Sequence, residues 1–148
     1  MQLKRVVVTG LGALTPIGNN IEEYWDALVS GKSGSAPITY YDTEKFKVKF
    51  ACELKNYSTD DHFDRKEGRK LDRFAQYALV SSDEAILDSK LDLDKVDKFR
   101  VGVIWGAGIG GLETFQNEVM NFANGDGTPR FNPFFIPKMI ADIAPGNI

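Results

Sequence analysis

Two apolar runs constrain this chain most, because neither alternates with polar residues. Val6-Val7-Val8 leads into Gly10 and Gly12, and Val101 to Trp105 leads into Gly106-Ala107-Gly108-Ile109-Gly110-Gly111. A strand covered on both faces reads as a continuous apolar run. Central strands are therefore expected over Lys4–Thr9 and Arg100–Trp105. Between and after them the pattern turns helical. Asn20 is placed to cap a helix with Glu22 and Glu23 in its first turn, where the helix dipole favours acids. Ile21, Trp25 and Leu28 follow at helical spacing, and Gly31 ends the pattern. A longer helix is expected from about Arg69 to about Ser89, with Leu71, Phe74, Ala75, Ala78, Leu79 and Ile86 on its apolar face. Another is expected over Leu112–Ala123, stopped by Gly125, and one more begins within Pro137–Ile143. "KVKFACEL" alternates strictly, with Val48, Phe50, Cys52 and Leu54 on one face, which predicts a half-buried strand and an inert, buried Cys52. "GKSGSAPITYYD" and "GDGTPRFNPFFIP" read as loops. Strand, helix and strand recurring around apolar strands give an α/β layered architecture.

Composition narrows the function classes. The 148 residues are 43% hydrophobic and 26% charged, which suits a single globular domain. The net charge of −3 gives no reason to expect nucleic acid or an anionic membrane surface. No apolar run approaches the roughly 20 residues that a membrane-spanning helix needs. The N-terminus lacks a signal peptide's apolar stretch. Cys52 is the sole cysteine, so the chain has no internal disulfide and the cytoplasm is the expected location.

The second glycine cluster is a literal G-x-G-x-x-G, so a dinucleotide site is the first functional alternative. Such a site needs a further strand after the helix, ending in an acid about 20 residues past the glycines to hold the ribose. Asp126 has the offset but sits between two glycines in a loop. Pro16 interrupts the helix that would follow the first cluster, and "SGKSG" lacks the upstream glycine of a phosphate loop. The plainer reading is that the glycines let backbones pass closely at strand ends. No cofactor and no metal site are expected.

Four stretches together carry a family resemblance: "VVVTGLGALTPIGN", "RKEGRKLDRFAQYAL", "GAGIGGLE" and "NPFFIPKMIADIAPGNI". In order and spacing the chain resembles the N-terminal third of a β-ketoacyl-acyl-carrier-protein synthase, nearest to the elongating type II branch called synthase II. The resemblance implies part of the N-terminal half of a thiolase-like α-β-α-β-α fold, usually a homodimer. It implies decarboxylative condensation of an acyl thioester with malonyl on acyl carrier protein, through a cysteine nucleophile and two histidines. A non-catalytic subunit of a polyketide system shares the fold and stays open as an alternative. No catalytic residue of the family matches here. Cys52 and His62 fall at the wrong positions, His62 reading as a solvated surface residue. The whole of residues 1–148 is expected to be the N-terminal portion of the family's N-terminal domain, ending before the nucleophile's strand and helix, and inactive alone. The apolar end from Phe134 to Ile148 is expected to need a covering surface.

Two sets of site residues follow. Between Asp64 and Arg73 five cations (Arg65, Lys66, Arg69, Lys70, Arg73) outnumber three anions (Asp64, Glu67, Asp72). Lys66, Arg69, Lys70 and Arg73 form one stripe if a helix continues through Gly68. A solvated helix face is the ordinary reading. The resemblance implies instead that Lys66, Arg69 and Lys70 meet the acidic helix of the carrier protein, with Arg73 added by geometry. The resemblance also places Ile109 against the acyl chain, and Phe135 and Ile136 at the dimer interface, closing the partner's acyl pocket.

Overall fold

A computed structural model describes residues 3–148. It divides into two compact units, one of residues 3–57 with Asp83–Leu91, the other of Ser58–Ser82 with Asp92–Ile148.

In the first unit, α1 spans Ile21–Val29. Its start is set by Asn20, whose side-chain oxygen accepts from the Glu23 N–H at 2.8 Å, and Gly31 follows its end at φ +68°. The two strands β1 (Ala36–Pro37) and β2 (Phe50–Ala51) pair antiparallel, Ala36 opposite Ala51 and Pro37 opposite Phe50. Proline is tolerated because this ribbon is all edge. The alternating segment thus contributes only its centre to a ladder, and it finds its partner inside a stretch that reads as loop. With no layer packed over so short a ribbon, Val48 and Phe50 are exposed. Cys52 is exposed too, which corrects the expectation of a buried thiol.

The second unit contains α2 (Arg65–Gly68), the first part of α3 (Arg73–Ser89), α4 (Leu112–Ala123), α5 (Phe135–Met139) and α6 (Ile143–Asn147). Ala75, Ala78 and Ala144 are buried together, with Leu71, Phe74, Ile143 and Ile148 packed against them. The α3 face foreseen from the periodicity is therefore the one that is covered. Pro137 lies in the first turn of α5, where a missing N–H costs nothing. The helix expected over the terminal segment is split in two, the break falling at Ile140–Asp142.

The expected central strands Lys4–Thr9 and Arg100–Trp105 are not assigned as strands. A central strand exists by virtue of ladder partners on both sides, and the described residues offer these segments none. Val6 is accordingly 90% exposed and Ile104 100%. Among the described residues no helix is long and apolar enough to cross a membrane.

Candidate functional site

The basic segment is built around a helix break. Asp64 starts α2, its carboxylate accepting from the N–H groups of Lys66 at 2.8 Å and Glu67 at 2.9 Å. This acid at the first turn opposes the cations' unfavourable interaction with the helix dipole. The helix stops at Gly68, where a side chain would press on the Thr59 methyl. The carbonyls freed by the stop are taken up by Gln76, only 4% exposed. Its amide nitrogen donates to Gly68 O at 3.2 Å and Leu71 O at 3.3 Å, and its oxygen accepts from the Thr59 hydroxyl at 2.8 Å.

The four expected cations therefore do not form one helical stripe. Lys66 lies in α2, Arg69 is its C-cap, Lys70 follows in a turn, and Arg73 opens α3. The turn still gathers three of them. Arg65, Lys66, Arg69 and Lys70 line one shallow groove of about 340 Å³, together with Phe134. Arg73 stands apart and pairs with Glu113 at 3.5 Å. Lys70 is held by Glu67 at 2.6 Å. Lys66 and Arg69 have no ion pair among the described residues. Sequence reasoning counted Arg65 but did not single it out, and it placed Phe134 in the apolar end without linking it to the basic segment. Nothing in helical spacing links Phe134 to a segment so far upstream.

Ile109 is 70% exposed, on the loop ahead of α4. Two of that loop's glycines have a structural duty. Gly110 lies at φ +94°, and a side chain there would overlap the Met139 carbonyl. A side chain at Gly111 would overlap the Lys138 carbonyl. The Gly111 N–H donates to Met139 O at 2.9 Å. The loop carrying Ile109 and the helix carrying Phe135 and Ile136 are thus joined through main chain. Phe135 is half-buried, stacked between Phe115 at 6.2 Å and Phe131 at 5.8 Å. Ile136 is exposed. Gly106 and Gly108 have nothing near where a Cβ would stand.

The remaining candidates are placed plainly. Asp126, the acid at the ribose offset, accepts from the Thr128 N–H at 2.9 Å. That is a local turn, not the end of a strand. His62 is exposed at the end of a short 3-10 turn, its ring 6.5 Å from that of Phe63.

Residues 3–148 match the family model described as "Beta-ketoacyl synthase, N-terminal domain". The 3-oxoacyl-[acyl-carrier-protein] synthase 2 of Staphylococcus aureus is 46% identical over 147 residues, covering 99% of this chain and 35% of that protein. The protein of the same name from Synechocystis sp. is 41% identical over 146 residues, again 99% of this chain and 35% of the relative. The chain thus spans about 35% of the length of these curated relatives. Among solved structures, a type II PKS acyl-carrier protein in complex with its ketosynthase matches with TM-score 0.77 and 26% identity, over 97% of this chain and 38% of that one. A beta-ketoacyl synthase from Burkholderia phymatum matches with TM-score 0.75 and 25% identity, over 98% of this chain and 36% of that one.

Proposed function

Because the chain belongs to the β-ketoacyl synthase family, within that family's N-terminal domain, we propose that residues 1–148 are the N-terminal portion of a longer condensing enzyme. The α/β fold is part of the N-terminal half of the thiolase-like layered fold. The whole enzyme lengthens a fatty acyl chain. It joins an acyl thioester to malonyl held on acyl carrier protein, and carbon dioxide leaves. The observation that carries this reading is the 46% identity, along 99% of the chain, to a relative named 3-oxoacyl-[acyl-carrier-protein] synthase 2. The nucleophilic cysteine and the two histidines belong to residues after Ile148, so this chain alone is inactive. The enzyme works in the cytoplasm as a homodimer, and it needs no cofactor.

In this reading Lys66, Arg69 and Lys70 receive the acidic carrier protein, with Arg73 at the rim. Support comes from the groove that gathers the first three and from Lys66 and Arg69 having no ion pair among the described residues. Cations not already neutralised lose no partner when an acidic protein docks, and they act mainly on encounter rate and orientation. Ile109 lines the acyl channel, and Phe135 and Ile136 close the partner subunit's pocket. A polyketide role is the second reading, favoured by the type II PKS ketosynthase among the neighbours. Its 26% identity weighs less than the 41–46% of the synthases.

The test uses the longer protein. With acyl- and malonyl-loaded carrier protein it should form a 3-oxoacyl product. The double variant Lys66→Glu with Arg69→Glu should raise KM for carrier-bound substrate and leave turnover of a small thioester mimic in place. The wild-type KM should rise with salt, since exposed charges are screened over about 8–10 Å at ordinary ionic strength. No product from the wild type would end the reading. A double variant that handles loaded carrier like the wild type at low salt would return the basic segment to a solvated surface.

A further inference from the structure

Asp72 is a buried acid that neither charge pattern nor family resemblance singles out. It is 7% exposed, and it sits where α3 begins. One carboxyl oxygen accepts from the Phe74 N–H at 3.3 Å, and the Asp72 carbonyl receives the N–H groups of Ala75 and Gln76 at 3.1 Å each, so Asp72 starts α3. The other oxygen accepts from the Thr114 N–H at 3.2 Å and from the Thr114 hydroxyl. Thr114 is in the first turn of α4 and is itself buried. One carboxyl group therefore serves the starts of two helices, meeting N–H groups that their own helices leave unsatisfied. That same oxygen lies 3.0 Å from where a Cβ at Gly111 would stand. The neighbouring Arg73–Glu113 pair repeats the link from α3 to α4 at the surface.

Three chain segments converge on Gly110-Gly111: the start of α3 through Asp72, the start of α4, and the end of α5 through the Lys138 and Met139 carbonyls. On the other side of Ile109, Gly106 and Gly108 touch nothing in the space a side chain would fill. Ile109 thus stands between a fixed base and an open arm. We propose that Asp72, bonded to Thr114, is the positioning residue that fixes the Gly110-Gly111 turn against the basic segment and so sets where Ile109 stands toward the acyl chain. The Asp72 carboxyl meets no substrate. It acts through the turn. The proposal rests on the condensing-enzyme reading and adds to it a specificity determinant.

The test is again made on the longer enzyme, with saturated acyl chains of increasing length on carrier protein. Thr114→Val removes the hydroxyl bond to Asp72 at nearly constant volume, and Thr114→Ser keeps it. Asp72→Asn is the harsher second variant: its side-chain oxygen can still accept from the Phe74 N–H, but its NH2 group then faces the Thr114 N–H. Thr114→Val should change the ratio of kcat/KM between long and short acyl chains by roughly ten- to a hundredfold, the scale of a small misplacement beside a bound chain. Thr114→Ser should keep the wild-type ratio, and KM for the carrier-bound malonyl substrate should stay constant. A folded Thr114→Val enzyme with the wild-type ratio overturns the proposal while wild-type condensation leaves the reading beneath it standing. If neither Thr114→Val nor Asp72→Asn folds, Asp72 serves folding alone and the proposal is overturned as well. A wild type without condensing activity removes the reading and the proposal with it.

Discussion

Alanine should act differently at four glycines that a sequence motif or a turn would treat alike. At Gly110 two costs combine. The backbone sits at φ +94°, and an added Cβ overlaps the Met139 carbonyl. A left-handed conformation costs an L side chain roughly 1–2 kcal/mol, and overpacking of a close main-chain contact costs about 1–3 kcal/mol. Gly110→Ala should therefore lose roughly 2–5 kcal/mol, a large share of the 5–15 kcal/mol typical of a domain. Gly111 has φ −77°, so strain is absent and only crowding applies, by the Lys138 carbonyl and the Asp72 carboxyl, and the loss should be about 1–3 kcal/mol. Gly127 has φ +80° with nothing around it, so strain alone applies, and the loss should be about 1–2 kcal/mol. Gly108 has neither burden, and alanine there should be neutral or stabilise by up to about 1 kcal/mol through the unfolded chain. Urea unfolding of the four variants, at one protein concentration so that any association is shared, should rank them with Gly110→Ala lowest and Gly108→Ala highest. If Gly108→Ala were as damaging as Gly110→Ala, close packing against α5 would not be what these glycines are for, and a ligand-binding role for the whole cluster would return.

Gln76→Ala should lose about 1–3 kcal/mol by leaving the Gly68 and Leu71 carbonyls without their buried donor; an unchanged urea midpoint would show that the break at Gly68 holds itself. Glu53 should titrate below the ordinary glutamate value, chiefly because the Thr39 hydroxyl donates to it. Its stabilisation is then present above the ordinary value and lost as pH falls through the lowered one, and Thr39→Val should move the carboxyl resonance back up in an NMR titration. Val6, Ile104, Ile109 and Ile136 expose large apolar surfaces, and burying each such side chain is worth about 1.5–3 kcal/mol. The chain should therefore self-associate or stay partly disordered. Light scattering showing a compact monomer, with slow amide exchange at Ile140 and Ile143, would contradict this.

Helices were legible where the signal was local. Asn20 with its two glutamates fixed the start of α1, and the apolar spacing from Leu112 to Phe122 gave the bounds of α4. The central strands were not, because Val6-Val7-Val8 announces coverage on both faces but cannot supply the neighbours that make a strand. The basic segment was half legible. Its charges are plain in the sequence, yet its shape depends on Gln76, whose amide nitrogen donates to the carbonyls freed at the helix break from several residues downstream. The groove's Phe134 and the buried Asp72 depend on contacts across dozens of residues, where no periodicity reaches.

Glu84 has a consequence for how the N-terminal loop tolerates change. Its two carboxyl oxygens accept from the Ala13 N–H and the Ile21 N–H, each at 2.8 Å, and Asp88 accepts from the Leu11 N–H at 2.9 Å. Ile21 is the first residue of α1, so Glu84 also supplies a partner that the helix start lacks. Every one of these anchors is main chain. The side chains at Leu11, Ala13 and Ile21 are therefore free to drift as far as this hold is concerned, with one exception. Proline has no N–H to give, so in a library of every substitution each of the three positions should reject proline first, and the intolerance to ordinary replacement should appear at Glu84 instead, far away in the sequence from the loop it protects.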